Sequence, residues 1–108
     1  MTNAEPMIEA LAEPMRREIL ERLLECPRSV TELADGLPVT RPAVSQHLQV
    51  LKQAGLVSDK ADGRRRVYQI DPKGLGQLRA WLDKFWESAL GSFQAEMERE
   101  FNKDKKDS

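Results

Sequence analysis

The 108-residue sequence predicts a mainly α-helical domain that carries one small β-hairpin. Three observations predict it. Apolar residues recur at steps of three and four along most of the chain. Asp62-Gly63 stands between two runs suited to extended structure. Capping residues, prolines and glycines fall where the periodic stretches begin and end. With 40% hydrophobic residues the chain can fill one compact core and is short for two, so a single domain over 1–101 is expected, followed by a polar, frayed tail over 102–108.

Ile8, Leu11, Met15, Ile19, Leu20, Leu23 and Leu24 share one helical face, which Pro14 interrupts. Proline lacks an amide donor and disfavours helix in the residue before it, so a short helix should end near Glu13 and a second open at Pro14. Cys26-Pro27 ends the second helix. In Ser29-Val-Thr-Glu, Ser29 or Thr31 can accept from the free amides of the next turn while Glu32 returns a bond to Ser29, which starts a short helix running to Asp35. Gly36-Leu-Pro-Val makes a turn. Thr40 then caps a helix with Pro42 in its first turn, and Gly55 ends it.

In that fourth helix Val44, Leu48 and Leu51 stack on one face and leave Arg41, Ser45, Gln46, Gln49, Lys52 and Gln53 on the other. Leu56 to Lys60 and Arg66 to Ile70 flank Ala61-Asp-Gly-Arg64 as the two arms of the hairpin. Asp71-Pro72 opens a long last helix whose apolar positions Leu75, Leu78, Leu82, Phe85, Ala89, Phe93 and Met97 recur at three or four, widened by Trp81, Trp86 and Leu90. Leu78 and Leu82 are expected in the chain's own core. The aromatic stripe beyond them is too wide for so small a domain to cover and calls for a partner surface.

Two short helices joined by a glycine-containing turn, the second with a polar outer face and a basic hairpin behind it, spell a winged helix-turn-helix in the order α-α-α-α-β-β-α. Set in a major groove, the fourth helix offers Arg41, Ser45 and Gln46 to base edges. Thr40, Gln49 and Lys52, with Gln53 beside them, would face the phosphate backbone. Strand alternation sends Arg64 and Arg66 to one side of the wing and Arg65 to the other, with at least one of the three expected in the minor groove or on its phosphates.

Lys and Arg number 17 against 18 Asp and Glu, so the net charge of -1 draws the whole chain to no polyanion. The charge is polarised instead: Arg41 to Tyr68 holds six positive and two negative residues, and eight acidic residues precede position 40. One histidine, no nucleophile in a catalytic context and no glycine-rich phosphate cradle argue against an enzyme. The single cysteine permits no internal disulfide, and no signal peptide or long apolar run is present, so a cytoplasmic location without membrane association is expected.

Three segments, Leu11-Ala-Glu-Pro-Met-Arg-Arg-Glu-Ile-Leu20, Val44-Ser-Gln-His-Leu-Gln-Val-Leu-Lys-Gln-Ala-Gly-Leu-Val57 and Asp62-Gly-Arg-Arg-Arg-Val-Tyr68, together and in this order resemble the arsenic-repressor (ArsR) family of bacterial regulators. The resemblance covers nearly everything from Ile8 to Phe93. It implies a homodimer built on the first and last helices, here through Ile8, Leu11, Leu78, Trp81, Leu82, Phe85, Trp86, Ala89 and Phe93. It also implies an inverted-repeat operator in double-stranded DNA and repression that an inducer lifts.

Relatives that sense metals use paired cysteines near the recognition region or His and carboxylate clusters on the last helix, and this chain departs from both patterns. Cys26 and His47 do not make a ligand set, and the Asp83 and Glu87 pair reads as solvated face, so no metal and no cofactor is expected. His47 is expected to pack or hydrogen-bond under its helix, and Cys26 to be buried or idle. The effector, if there is one, would be a small organic molecule or a protein, with an apolar pocket in the aromatic seam as one place for it. Alternative readings are a winged-helix protein-interaction module that leaves DNA alone, or a family member answering to an organic or redox signal.

Overall fold

The computed structural model describes residues 4–106, and the side chains of residues 4–103. The elements are α1 (Glu5–Leu11), α2 (Pro14–Glu25), β1 (Arg28–Ser29), α3 (Val30–Asp35), α4 (Arg41–Gln53), β2 (Val57–Asp62), β3 (Arg65–Ile70) and α5 (Pro72–Lys106). Their order is the one expected, with one addition: β1 pairs antiparallel with β3 through Arg28 with Tyr68 and Ser29 with Val67, giving a three-stranded sheet in the order β1-β3-β2. The chain divides into two compact units, Met1–Leu78 and Arg79–Ser108.

The first unit begins with a helix pair that Pro14 separates. α1 stops at Leu11, two residues short of the expected end, and Glu13 instead serves as the N-cap of α2, its carboxylate accepting from the Met15 amide at 3.1 Å. The last carbonyls of α1 would be left without partners. Arg16 Nε donates to the Ala10 carbonyl at 2.6 Å and Arg17 Nη1 to that of Leu11 at 2.8 Å, so the first turn of α2 closes the end of α1.

Ser29 settles the choice of cap for α3. Its hydroxyl accepts from the Glu32 amide and the Glu32 carboxylate accepts from the Ser29 amide, each at 3.2 Å, a complete capping box. Thr40 caps α4 by accepting from Ala43 N at 3.3 Å. The far end of α4 closes with the Leu56 amide bonded to the Leu51 carbonyl and the Gly55 amide to that of Lys52, a pairing that needs the left-handed backbone Gly55 adopts at φ 84°. The hairpin that follows is held at its base by the Asp71 amide donating to the Leu56 carbonyl at 2.9 Å. Its two-residue turn is Gly63-Arg64, with Asp62 paired to Arg65 inside the ladder. The turn thus lies one residue later than Asp-Gly suggested, because Gly63 supplies the positive φ at the first turn position.

Ile19, Leu33, Val44, Leu48, Leu51 and Leu56 are fully buried and join Met7, Ala10, Leu20, Leu23, Leu37, Val57 and Leu78 in one core. Each large side chain so buried contributes on the order of 2 kcal/mol. Leu78 enters this core as expected, which removes it from the exposed stripe; Leu82, expected beside it, is 49% exposed. They are four positions apart, but Leu78 lies in the first unit and Leu82 in the second.

In the second unit Trp81, Phe85, Trp86, Leu90, Phe93, Met97 and Phe101 are exposed. Trp81 and Phe85 stack with ring centroids 5.9 Å apart. α5 continues to Lys106, so 102–106 is helix where a frayed tail was expected; 107–108 lie outside the described residues. Among the described residues no helix is long and apolar enough to cross a membrane.

Candidate nucleic-acid interface

Helix α4 presents a mostly polar face to the outside, with Pro42 in its first turn and Val50 at its margin exposed as well. Val44, Leu48 and Leu51 anchor it with no exposed surface, and Arg41, Ser45, Gln46, Gln49, Lys52 and Gln53 are all exposed. Burial on one side fixes the rotation of the helix about its axis, so the identity of the outward residues follows from where the leucines sit. Thr40 spends its hydroxyl on the cap, and its exposed position keeps it beside Arg41. Arg41 forms no ion pair among the described residues.

Besides the core contact of Val57, a single carboxylate ties the polar surface of the wing to this helix. Asp59 of β2 receives Lys52 Nζ on Oδ1 and Arg66 Nη1 on Oδ2, both at 2.8 Å. Its side chain is only 6% exposed, whereas those of Lys52 and Arg66 are 46% and 57% exposed. Hydrogen bonds from Lys52 first and Arg66 second hold the Asp59 carboxyl below the usual aspartate range, so it is ionised throughout the neutral region.

Arg65, on the opposite face of the ribbon, makes the second tie. Its Nη1 meets Glu32 Oε1 of the α3 capping box at 2.8 Å, and its Nη2 meets Asp62 at 3.3 Å. The Ser29 amide and hydroxyl are the main reason that Glu32 titrates below the ordinary glutamate range, with Arg65 adding to them. Arg64 is left at the turn, exposed and without an ion pair among the described residues.

The three wing arginines, of which at least one was expected on DNA, therefore divide into two that brace the hairpin and one, Arg64, without an ion pair among the described residues. Arg65 and Arg66 do lie on opposite faces, as alternation required, but Arg64 belongs to the turn rather than to a strand face. Asp59 and Glu32 were not foreseen as part of the site. The signal was present: a hairpin register with Asp62 opposite Arg65 sets Ala61 opposite Arg66, which brings Asp59 diagonally beside it.

His47 is half-buried on α4 and makes no hydrogen bond among the described residues, which leaves packing as its contribution. Cys26 is exposed at the end of α2 rather than buried. Among the described residues no three His, Cys, Asp or Glu are grouped to hold a metal ion.

A helix-turn-helix whose second helix is anchored by aliphatics and polar outside, backed by a braced basic hairpin, defines a winged helix-turn-helix DNA-binding module. A sequence profile of the bacterial regulatory proteins of the arsR family matches residues 13–59. The HTH-type transcriptional regulator Rv2034 of Mycobacterium tuberculosis is 59% identical over 79% of this chain and 79% of its own length. The HTH-type transcriptional repressor SmtB of the same organism is 45% identical over 67% of this chain and 53% of its own length, so the chain spans about half of that relative. Among solved structures, the homodimeric winged helix-turn-helix DNA-binding domain of a Mycobacterium bovis protein, determined by NMR in solution, is 29% identical with a TM-score of 0.63, covering 76% of each chain. The chain belongs to the ArsR family of bacterial regulatory proteins. It is a DNA-binding transcriptional regulator and not an enzyme.

Proposed function

We propose that the chain is a homodimeric repressor that reads an inverted-repeat operator with Arg41, Ser45 and Gln46. Thr40, Gln49, Lys52 and the wing arginines hold the backbone. One observation carries the reading: the outward face of α4 carries Arg41, Ser45, Gln46, Gln49, Lys52 and Gln53 and no acidic residue, and three fully buried aliphatics back it, so it has the rigidity and the donor and acceptor groups that base edges require. Of the wing arginines, Arg64 alone is uncommitted and is the one suited to the minor groove or its phosphates.

The exposed stripe of the second unit is the proposed dimer seam, formed by Trp81, Leu82, Phe85, Trp86, Ala89 and Phe93, with Ile8 and Leu11 contributing from the first unit. An apolar face of this size is unfavourable in water and is satisfied by the same face of a second copy. The homodimeric state of the M. bovis domain supports it, and the repressor role of the SmtB relative supports repression. The effector in this reading is organic or a protein: the one cysteine lies at the end of α2 and the one histidine inside α4, on separate elements.

A mobility-shift titration against DNA from upstream of the chain's own gene, across a salt series, tests the proposal. The expected result is tight binding with a steep salt slope, a loss in Arg41→Ala and Gln46→Ala larger on that duplex than on a scrambled one, and reduced transcription from the duplex in vitro. Equal, weak binding to both duplexes at every salt concentration would overturn it.

A further inference from the structure

Asp59 is an anion held against the surface that meets a polyanion. Counted as charge alone it weakens DNA binding, since it adds a negative charge there and engages Lys52 and Arg66, two of the cations available for phosphate. What it provides is geometry. Lys52 comes from the last turn of α4, Asp59 from β2 and Arg66 from β3, so one carboxylate joins the recognition helix to both arms of the wing.

Each carboxylate oxygen is filled by one cation at 2.8 Å, and the near-complete burial of the Asp59 side chain leaves it little freedom to follow a moving partner. On the other face, Arg65 ties the wing to Glu32 at the start of α3. The exposed ammonium and guanidinium keep part of their surface open while their direction is set.

We propose that Asp59 is a positioning residue that fixes the wing relative to the recognition helix, exchanging general attraction to DNA for discrimination between the operator and other DNA. The proposal rests on the DNA-reading function proposed above. With Asp59 intact, a duplex must present base edges to α4 and phosphates to Lys52 and Arg66 at one fixed separation. Without it, the two cations swing freely and neutralise phosphates of any sequence.

The test is Asp59→Asn in the full chain, measured on a duplex enriched by the wild type from a randomised pool and on a scrambled duplex of the same composition. The expected result is unchanged or tighter binding to the scrambled duplex, a salt slope steeper by about one to two because freed cations release more counterions, and binding to the enriched duplex weaker by about tenfold. A preserved ratio between the two duplexes overturns the proposal, as does equal tightening of both, which would make Asp59 an electrostatic brake only. Should Asp59→Asn fail to fold, as judged by circular dichroism, the exposed Arg66→Gln breaks the same tie from its other side. It should lower the ratio between duplexes, whereas a plain phosphate contact would weaken both alike and overturn the inference. If the wild type itself enriches no sequence, the DNA-reading function fails; if it does and both variants discriminate equally well, only the role of Asp59 fails.

Discussion

Gly74, in the first turn of α5, lies directly against the carbonyl of Gly55, the residue that ends α4, so that a Cβ added at 74 would overlap that oxygen. The neighbour is backbone and is itself engaged in the turn that closes α4, so it has no rotamer with which to yield. Gly74→Ala should therefore destabilise the first unit by about 1 to 3 kcal/mol, in the range of an overpacked core. Gly76→Ala, where a Cβ would meet nothing, should be neutral or stabilising in a helix. Thermal melts of the two variants check this, and equal melting temperatures would refute the close approach.

Ser29→Ala removes the capping box of α3 and leaves the Glu32 amide without its partner. A cost of about 1 kcal/mol is expected. Because Glu32 also receives Arg65, the loss should extend to the wing, visible as faster amide exchange in β3 than in α2.

Asp59 and Glu32 both titrate below their ordinary ranges in the folded chain. A carboxyl depressed by folding contributes stability that is complete above its unfolded value and disappears as pH falls through its folded value. Melting temperature should accordingly be flat near neutrality and fall below about pH 4. Asp59→Asn should melt lower at pH 7 and show a shallower acid limb. A variant limb as steep as that of the wild type would show that the carboxylate is not the group responsible.

Arg64→Ala should reduce the salt slope of DNA binding by about one to two in a dimer that places one such residue on phosphate from each copy. Arg65→Ala, which first breaks pairs with Glu32 and Asp62, should change the slope less and stability more. Equal slope changes in the two variants would mean that the internal pairs do not restrain Arg65.

Trp86→Glu places a charge on an aromatic that is 64% exposed within one chain. If the stripe is the dimer seam, the variant should sediment as a single chain while its helical circular dichroism is retained. A variant that still sediments as a dimer would move the seam elsewhere.

The helix-turn-helix was legible because its signals are local. Thr40, Pro42 and Gly55 bracket α4, and the spacing of Val44, Leu48 and Leu51 sets its inner face, so the outer face could be named residue by residue. What escaped was set by partners distant in sequence. β1 is two residues long and exists only because β3 lies beside it. The bonds of Arg16 and Arg17 to the open end of α1 depend on the angle at which the two helices meet, which no local pattern gives. Asp59 looked like a subtraction from a basic segment, since its worth depends on a lysine one element back and an arginine one strand on. Leu82 was placed inside by a periodicity that does not mark where the core stops.

The bond from the Asp71 amide to the Leu56 carbonyl joins the two ends of the wing at their root. Between those residues the chain runs out along β2 and back along β3: the base of the ribbon, with Val57 and Val67 buried and β3 paired to β1, belongs to the body, and the stretch from Lys60 to Arg66 extends beyond it. The length of that exposed stretch is independent of the body: lengthening or shortening both arms at the Gly63-Arg64 tip would change how far the wing reaches while α4 and α5 start where they do now. Reach and reading are separate properties of this architecture, and the braces at Asp59 and Arg65, together with the pairing of β3 to β1, set them at a fixed distance from each other.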